Sequence, residues 1–173
     1  MSNEIIAVVD ENDFVIGKKD RLQVHKDGDL HREVCLFLFD LSGNLLLTCA
    51  ADTKKWDCSV AGHISWNESC EDGIIREAKE ELGLDICVNE LTKVGCIRHS
   101  ETRADQLNNR FITVFRVKKE ISLDDLKPAN GEVVDVAFLS INAVSKLQKE
   151  NPFNYEKRFK FIFKWYLDKN NLI

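Results

Sequence analysis

The sequence predicts an α/β (α+β) sandwich, a mixed β-sheet with helices on both of its sides. Three observations lead there. Strand-length apolar runs recur along most of the chain, bounded by polar turns. One strongly amphipathic helical stripe, Ile74, Ile75, Ala78 and Leu82, lies in the middle. A length of 173 residues with 44% hydrophobic content suits one core, so residues 1–173 are expected to form one domain. Residues 1–30 read as an amino-terminal hairpin extension, 31–140 as the core and 141–173 as carboxy-terminal helices.

Glu4 to Val9 and Phe14 to Gly17 read as a hairpin around the polar Asp10–Asp13 turn. Glu33 to Phe39 is a candidate buried strand, followed by the Ser42–Gly43–Asn44 turn and a strand at Leu45 to Cys49. Ser69 to Leu82 is expected to be a helix of about three and a half to four turns. Ser69 is its N-cap, Asp72 its capping-box partner, and Glu71 helps in the first turn. Gly83 follows as C-cap, and Leu84 supplies the apolar contact of such an ending. Thr92 to His99 and Arg110 to Val117 are further strands, with the polar segment Glu101 to Asn109 expected as a loop over the site. Val133 to Leu139 is a last strand. Asn142 to Glu150 is a short helix and Tyr155 to Leu167 a longer aromatic one, divided at Asn151–Pro152.

The chemistry concentrates between Gly62 and Leu84, GHISWNESCEDGIIREAKEELGL. Glu77, Glu80 and Glu81 are spaced i, i+3, i+4, so their carboxylates converge on one patch of the helix. Like charges at that spacing repel by roughly 0.2–0.5 kcal/mol per pair on an exposed helix. Such a cluster asks for a counter-charge, and hard divalent cations such as Mg²⁺ or Mn²⁺ favour an oxygen-rich site. A solvated acidic face, with Arg76 paired to Glu80, would explain the glutamates but not the glycines and Glu68 at fixed distances.

Gly62, Glu68, Arg76, Glu77, Glu80, Glu81 and Gly83 fit the pattern G-x5-E-x7-R-E-U-x-E-E-x-G-U, which resembles the Nudix box. That resemblance implies an enzyme that cleaves diphosphate-linked substrates, on an α/β/α sandwich. By the same resemblance Glu77, Glu80 and Glu81 are the metal-ligating carboxylates and Arg76 orients them. Gly62 and Glu68 belong to the phosphate-binding box loop, and the carbonyl of Ala61 is a further metal ligand. The metal would neutralise phosphate oxygens and acidify a water. Family members often use a glutamate outside the box as base or extra ligand, and Glu101 and Glu132 are the two candidates here.

The resemblance narrows outside the box. EIIAVVDENDFVIG, then His25, then LHREVCLFLFDLSGNLLL, are similar to the isopentenyl-diphosphate isomerase-like branch of the superfamily. Together with the box this covers most of residues 4 to 118. Isomerases of that branch carry a cysteine immediately before the box glycine, where this chain has Ala61; Cys58 lies three residues earlier. Their metal-binding histidines correspond to His25, His31 and His63, but the completing glutamates fall near Asn108 and Arg110. The resemblance therefore does not carry isomerase activity over. His25, His31 and His63 are expected to be structural, with a substrate or metal contact as the other reading of His63. Trp56 and Trp66 either stack on a nucleobase or pack under the loop. Lys54 and Lys55 either meet a terminal phosphate or are solvated.

A net charge of −5 argues against a sequence-independent nucleic-acid binder. No leading basic and apolar stretch suggests a signal peptide, and no apolar run approaches a membrane span. Six scattered cysteines without a C-x-x-C pair point to reduced thiols in a cytoplasm. The expected partner is a small diphosphate compound rather than nucleic acid or membrane. The aromatic carboxy-terminal helix is a candidate homodimer surface if its rings are exposed. The leading reading is thus a Mg²⁺-dependent (or Mn²⁺-dependent) pyrophosphohydrolase of a nucleoside diphosphate derivative. An isomerase-like enzyme with a non-standard acid and a non-catalytic phosphate-ligand sensor are the alternatives.

Overall fold

A computed structural model describes residues 4–103, 106–129 and 131–172. They build a nine-stranded mixed sheet with four α-helices. At its centre β3 (Leu30–Phe39) runs parallel to β8 (Gln106–Lys118), in register from Leu30 opposite Asn109 to Phe39 opposite Lys118. The other pairings are antiparallel. The amino-terminal hairpin β1 (Ile5–Val9) and β2 (Val15–Asp20) joins β3 through Val8 opposite His31. β4 (Asn44–Ala50) pairs with β5 (Trp56–Asp57) and β9 (Val133–Ser140). β6 (Val60–His63) lies on β3 with Glu33 opposite His63, and β7 (Thr92–Arg103) lies on β8.

The period-two alternation of β3 divides the core in two. Val34, Leu36 and Leu38 pack with Ile74, Ala78 and Leu82 of α2 (Cys70–Leu82). Cys35 and Phe37 face the other way, onto α3 (Ile141–Glu150) and α4 (Lys157–Lys169). Phe37 meets Phe159, Phe163 and Tyr166 edge-on, with centroids 4.8–6.3 Å apart, and this seats α4 on the sheet. Helices on both faces make the predicted sandwich. The aromatic stripe of α4, Phe159, Phe163 and Tyr166, is buried core rather than exposed.

The caps of α2 are those the sequence predicts. Ser69 Oγ accepts from Asp72 N at 3.0 Å, and Gly83 is left-handed at φ 68° with its N–H on the carbonyls of Ala78 and Lys79.

Several elements differ from expectation, the short strands β5 and β6 among them. Residues 101–103 and 106–109 are paired strand rather than loop: Glu101 opposes Asn108 and Thr102 opposes Leu107, so β7 and β8 form one long antiparallel arm, with 104 and 105 outside the described residues. Its polarity comes from the cleft it lines, and the cross-strand ladder satisfies the backbone despite polar side chains. α1 (Arg21–Asp27), capped by the Asp20 carboxylate, fills a stretch without a predicted element. α4 begins two residues later than expected, because Tyr155 stays extended in a bridge to Trp56. No helix among the described residues is long and apolar enough to cross a membrane.

Candidate active site

Where β6, α2, the β7–β8 arm and the start of α4 meet, they enclose a cleft of about 1030 Å³. That is room for a nucleotide-sized ligand, at the upper end of ordinary small-molecule sites. Ala61, Gly62, His63, Arg76, Glu77, Glu80, Glu81, Glu101 and Glu132 of the predicted set line it.

The box loop is fastened to the helix by one guanidinium. Arg76 Nε and Nη2 donate to Glu68 Oε1 and Oε2 at 2.8 and 2.9 Å, and Nη2 also donates to the His63 carbonyl at 3.0 Å. Arg76 Nη1 donates to Glu77 Oε1 and Glu80 Oε2, each at 2.9 Å. Glu68 also accepts from Ser65 N at 2.9 Å, so the loop cannot swing without breaking a bidentate pair. The Arg76–Glu80 contact is the weak one: with Glu80 57% exposed it is worth about 0–1 kcal/mol.

Glu77 and Glu81 turn inward and Glu80 outward. Burial pushes the Glu77 carboxyl above its usual range, with Arg76 opposing. The Glu81 carboxyl lies well above its usual range, first through burial and then through Glu77, Asp57 and Glu132. Four carboxylates crowded without enough counter-charge are a fit for a divalent cation. A hydrogen-bonded structural network would show the opposite sign, as Glu68 does.

Gly62 has a steric reason. A methyl group there would overlap the Glu77 carboxyl group. Gly62→Ala is therefore expected to leave the fold intact, displace Glu77 and weaken Mg²⁺ affinity about 10–100-fold, read by isothermal titration.

Glu33, Asp57 and Arg158 of the cleft floor had no motif to announce them. Glu33 on β3, only 1% exposed, accepts from Arg110 Nη1 at 2.9 Å and Arg158 Nη1 at 3.1 Å. Asp57 accepts from Arg158 Nη2. Arg110 also donates to Glu101 at 2.6 Å. Despite burial, Glu33 is held well below the usual carboxylate range, chiefly by the Arg110 guanidinium and with Arg158 assisting. The signal available in the sequence was a lone glutamate in the apolar run HREVCLFLF.

His25, His31 and His63 come together, His25 Nε2 lying 3.0 Å from His63 Nε2. Burial lowers all three, His25 to about 4, so they are neutral near pH 7. Trp56, Trp66 and Lys55 do not line the cleft. Trp56 packs against the α4-side core, and the Trp66 ring lies 5.2 Å beneath Lys18 Nζ. Cys58, nearest in sequence to the Ala61 position, is buried with its thiol pushed well up by that burial and directed at Asp57.

The NUDIX domain family model matches residues 29–160. An uncharacterized Nudix hydrolase of Clostridium acetobutylicum is 29% identical over 154 residues, spanning 84% of this chain and 74% of its own length. Isopentenyl-diphosphate Delta-isomerase 2 of Photorhabdus laumondii is 31% identical over 169 residues, spanning 92% of this chain and 90% of its own. The crystal structure of DR0079 from Deinococcus radiodurans shares the fold, with a TM-score of 0.74 at 18% identity over 93% of this chain and 97% of that one. Proteins named as a Nudix hydrolase and as an isomerase are thus both relatives. On the domain match and the box loop-helix together, the chain belongs to the Nudix family.

Proposed function

We propose that the protein is a Mg²⁺- or Mn²⁺-dependent hydrolase that splits a phosphoanhydride bond in a nucleoside diphosphate linked to another moiety, or in a related small diphosphate compound. The observation that carries this reading is the inward pair Glu77 and Glu81, raised carboxyls beside Asp57 and Glu132 in a cleft of nucleotide size. Glu77, Glu81 and the Ala61 carbonyl would hold the cation, with Glu80 at the rim. The metal, when bound, supplies charge for the phosphate oxygens and a more acidic water. Arg76 aims the carboxylates of Glu68, Glu77 and Glu80. The water oxygen bonds to phosphorus, the bridging P–O bond breaks, and two phosphate-bearing fragments leave.

Between the two candidate bases the geometry favours Glu132. Glu101 is committed to Arg110 at 2.6 Å, whereas Glu132 carries no ion pair among the described residues and lies close enough to Glu81 to raise it. Glu132→Gln is expected to lower kcat by about 10²–10⁴-fold, the usual reach of general-base catalysis. Glu101→Gln should have a much smaller effect on kcat. Equal losses in steady-state assays would sink the assignment.

An isomerase needs a proton donor where Ala61 stands, and the buried Cys58 thiol does not replace it. Six free thiols favour a reducing compartment such as the cytoplasm. The deciding experiment is phosphate or nucleotide release from ADP-ribose, nucleotide sugars, coenzyme A, nucleoside triphosphates and isopentenyl diphosphate with Mg²⁺ and then Mn²⁺. Cleavage lost in Glu81→Gln supports a hydrolase. Binding of one compound with no turnover supports a sensor instead.

A further inference from the structure

The histidine end of the cleft resembles a metal site, yet the chain places a cation of its own there. The ligand nitrogens of His25, His31 and His63 all lie within 4.8 Å of one another, and all three residues are buried. His31 Nδ1 donates to the Asp29 carbonyl at 3.1 Å, which leaves its Nε2 a lone acceptor without a partner. Imidazoles so arranged suit a transition metal, but three neutral imidazoles supply no charge to balance a divalent ion.

The carboxylates that complete the isomerase-like pattern are missing: their places hold Asn108 and Arg110, both buried and both lining the cleft. The carboxylate left near the imidazoles is Glu33, with Oε1 3.4 Å from His63 Nε2 and 3.9 Å from His31 Nε2. That same oxygen accepts from Arg110 Nη1 at 2.9 Å, and the other accepts from Arg158 at 3.1 Å. A metal among the histidines would have to share its nearest anion with two fixed guanidiniums and lie close to one of them. A guanidinium never deprotonates and cannot leave, so this charge is permanent. An ordered water would satisfy the open acceptor on His31 as well as an ion would.

We propose that Arg110 is the resident cation of this pocket, standing where a divalent metal would otherwise be held, so that His25, His31 and His63 form a metal-free wall of the cleft. Arg110 is a positioning residue here: it fixes Glu33 and Glu101 and decides which cations the pocket accepts. The assignment does not depend on the hydrolase reading, since it concerns the histidines, Glu33 and Arg110 rather than the box carboxylates.

Metal stoichiometry tests it. The full-length protein is loaded with Zn²⁺ or Co²⁺, desalted, and measured by plasma mass spectrometry and by the visible spectrum of Co²⁺. The wild type and His63→Ala are expected to hold the same amount of metal, with no nitrogen-rich Co²⁺ band in either. Asn108→Glu/Arg110→Glu is expected to gain one equivalent with that band, and to lose it when His63→Ala is added. A wild type that holds one equivalent removed by His63→Ala would overturn the proposal. So would a folded Asn108→Glu/Arg110→Glu protein that stays metal-free, because Arg110 would then not be what keeps the ion out. Circular dichroism checks folding; if the charge reversal unfolds the chain, Arg110→Gln, which frees Glu33 Oε1 on the histidine side, takes its place with the same two outcomes.

Discussion

Glu81→Gln is expected to abolish metal-dependent turnover while raising the melting temperature of the metal-free protein near neutral pH. The two effects have one cause. Burial, with Glu77, Asp57 and Glu132 nearby, holds the Glu81 carboxyl well above its usual range, so ionising it in the folded state costs free energy. The unfolded chain ionises the same group near pH 4.3. Because the folded pKa is the higher one, stability contributed by the protonated form is present below the unfolded value. It is lost as pH rises through the folded value. At neutral pH, well above the unfolded value, the metal-free protein therefore carries that cost, and glutamine removes it. A bound cation reverses the sign by holding the carboxylates ionised.

The wild type should consequently gain stability from Mg²⁺ or Mn²⁺. At a hundred times the dissociation constant the gain is about 2.7 kcal/mol. For a chain of this size that corresponds to a rise in Tm of roughly 5–10 °C. The shift should be larger at about pH 7.5 than at about pH 5, where protons compete for the same oxygens. In Glu81→Gln the shift shrinks and kcat falls by about 10²–10³-fold or more, the cost of losing one preorganised electrostatic group. Differential scanning fluorimetry across pH, comparing wild type with variant, isolates the share due to Glu81. A variant that melts lower than wild type without metal would show that this carboxylate is structural, and the metal reading would fail with it.

What could be read from the sequence follows from how local each contact is. Helix α2 was legible because Ser69, Asp72 and Gly83 cap it from within and Ile74, Ala78 and Leu82 mark its buried stripe. The box residues were legible for the same reason, all lying between Gly62 and Gly83. β5 and β6 were not, since strands of 2 and 4 residues are defined by their partners β4 and β3 rather than by a pattern of their own. α1 is one turn longer than a cap, and its signal is an aspartate whose side chain reaches Leu22 N. The cleft floor was least legible. Arg158 reaches Asp57 across 101 residues and Glu33 across 125, contacts that exist only once α4 has docked on β3. An arginine next to Phe159 in an aromatic helix reads locally as a solvated neighbour of the stripe. The same holds for the histidines, which one helix and two strands bring together from three separate places in the chain.

Glu33→Gln should be among the most destabilising single changes in the protein. It removes the one carboxylate shared by buried Arg110 and half-buried Arg158, leaving Arg110 with Glu101 and Arg158 with Asp57 as their remaining carboxylate partners. Breaking a buried pair by deleting one member costs about 3–5 kcal/mol, far more than the net worth of the pair itself. The expected fall in Tm is roughly 6–20 °C. Here the folded pKa is the depressed one, so the stability Glu33 contributes is present above the unfolded value and disappears as pH falls through the folded value. The wild-type advantage over Glu33→Gln should therefore vanish in acid, the reverse of the Glu81 pattern. A double-mutant cycle distinguishes coupling from simple loss of packing. Arg110→Met should cost less in a Glu33→Leu background than alone, with a coupling of about 0.5–3 kcal/mol in urea denaturation. Additive losses would mean that Glu33 and Arg110 are held by the fold independently. The floor of the cleft would then be a product of packing rather than of the charge network that joins β3, β8 and α4.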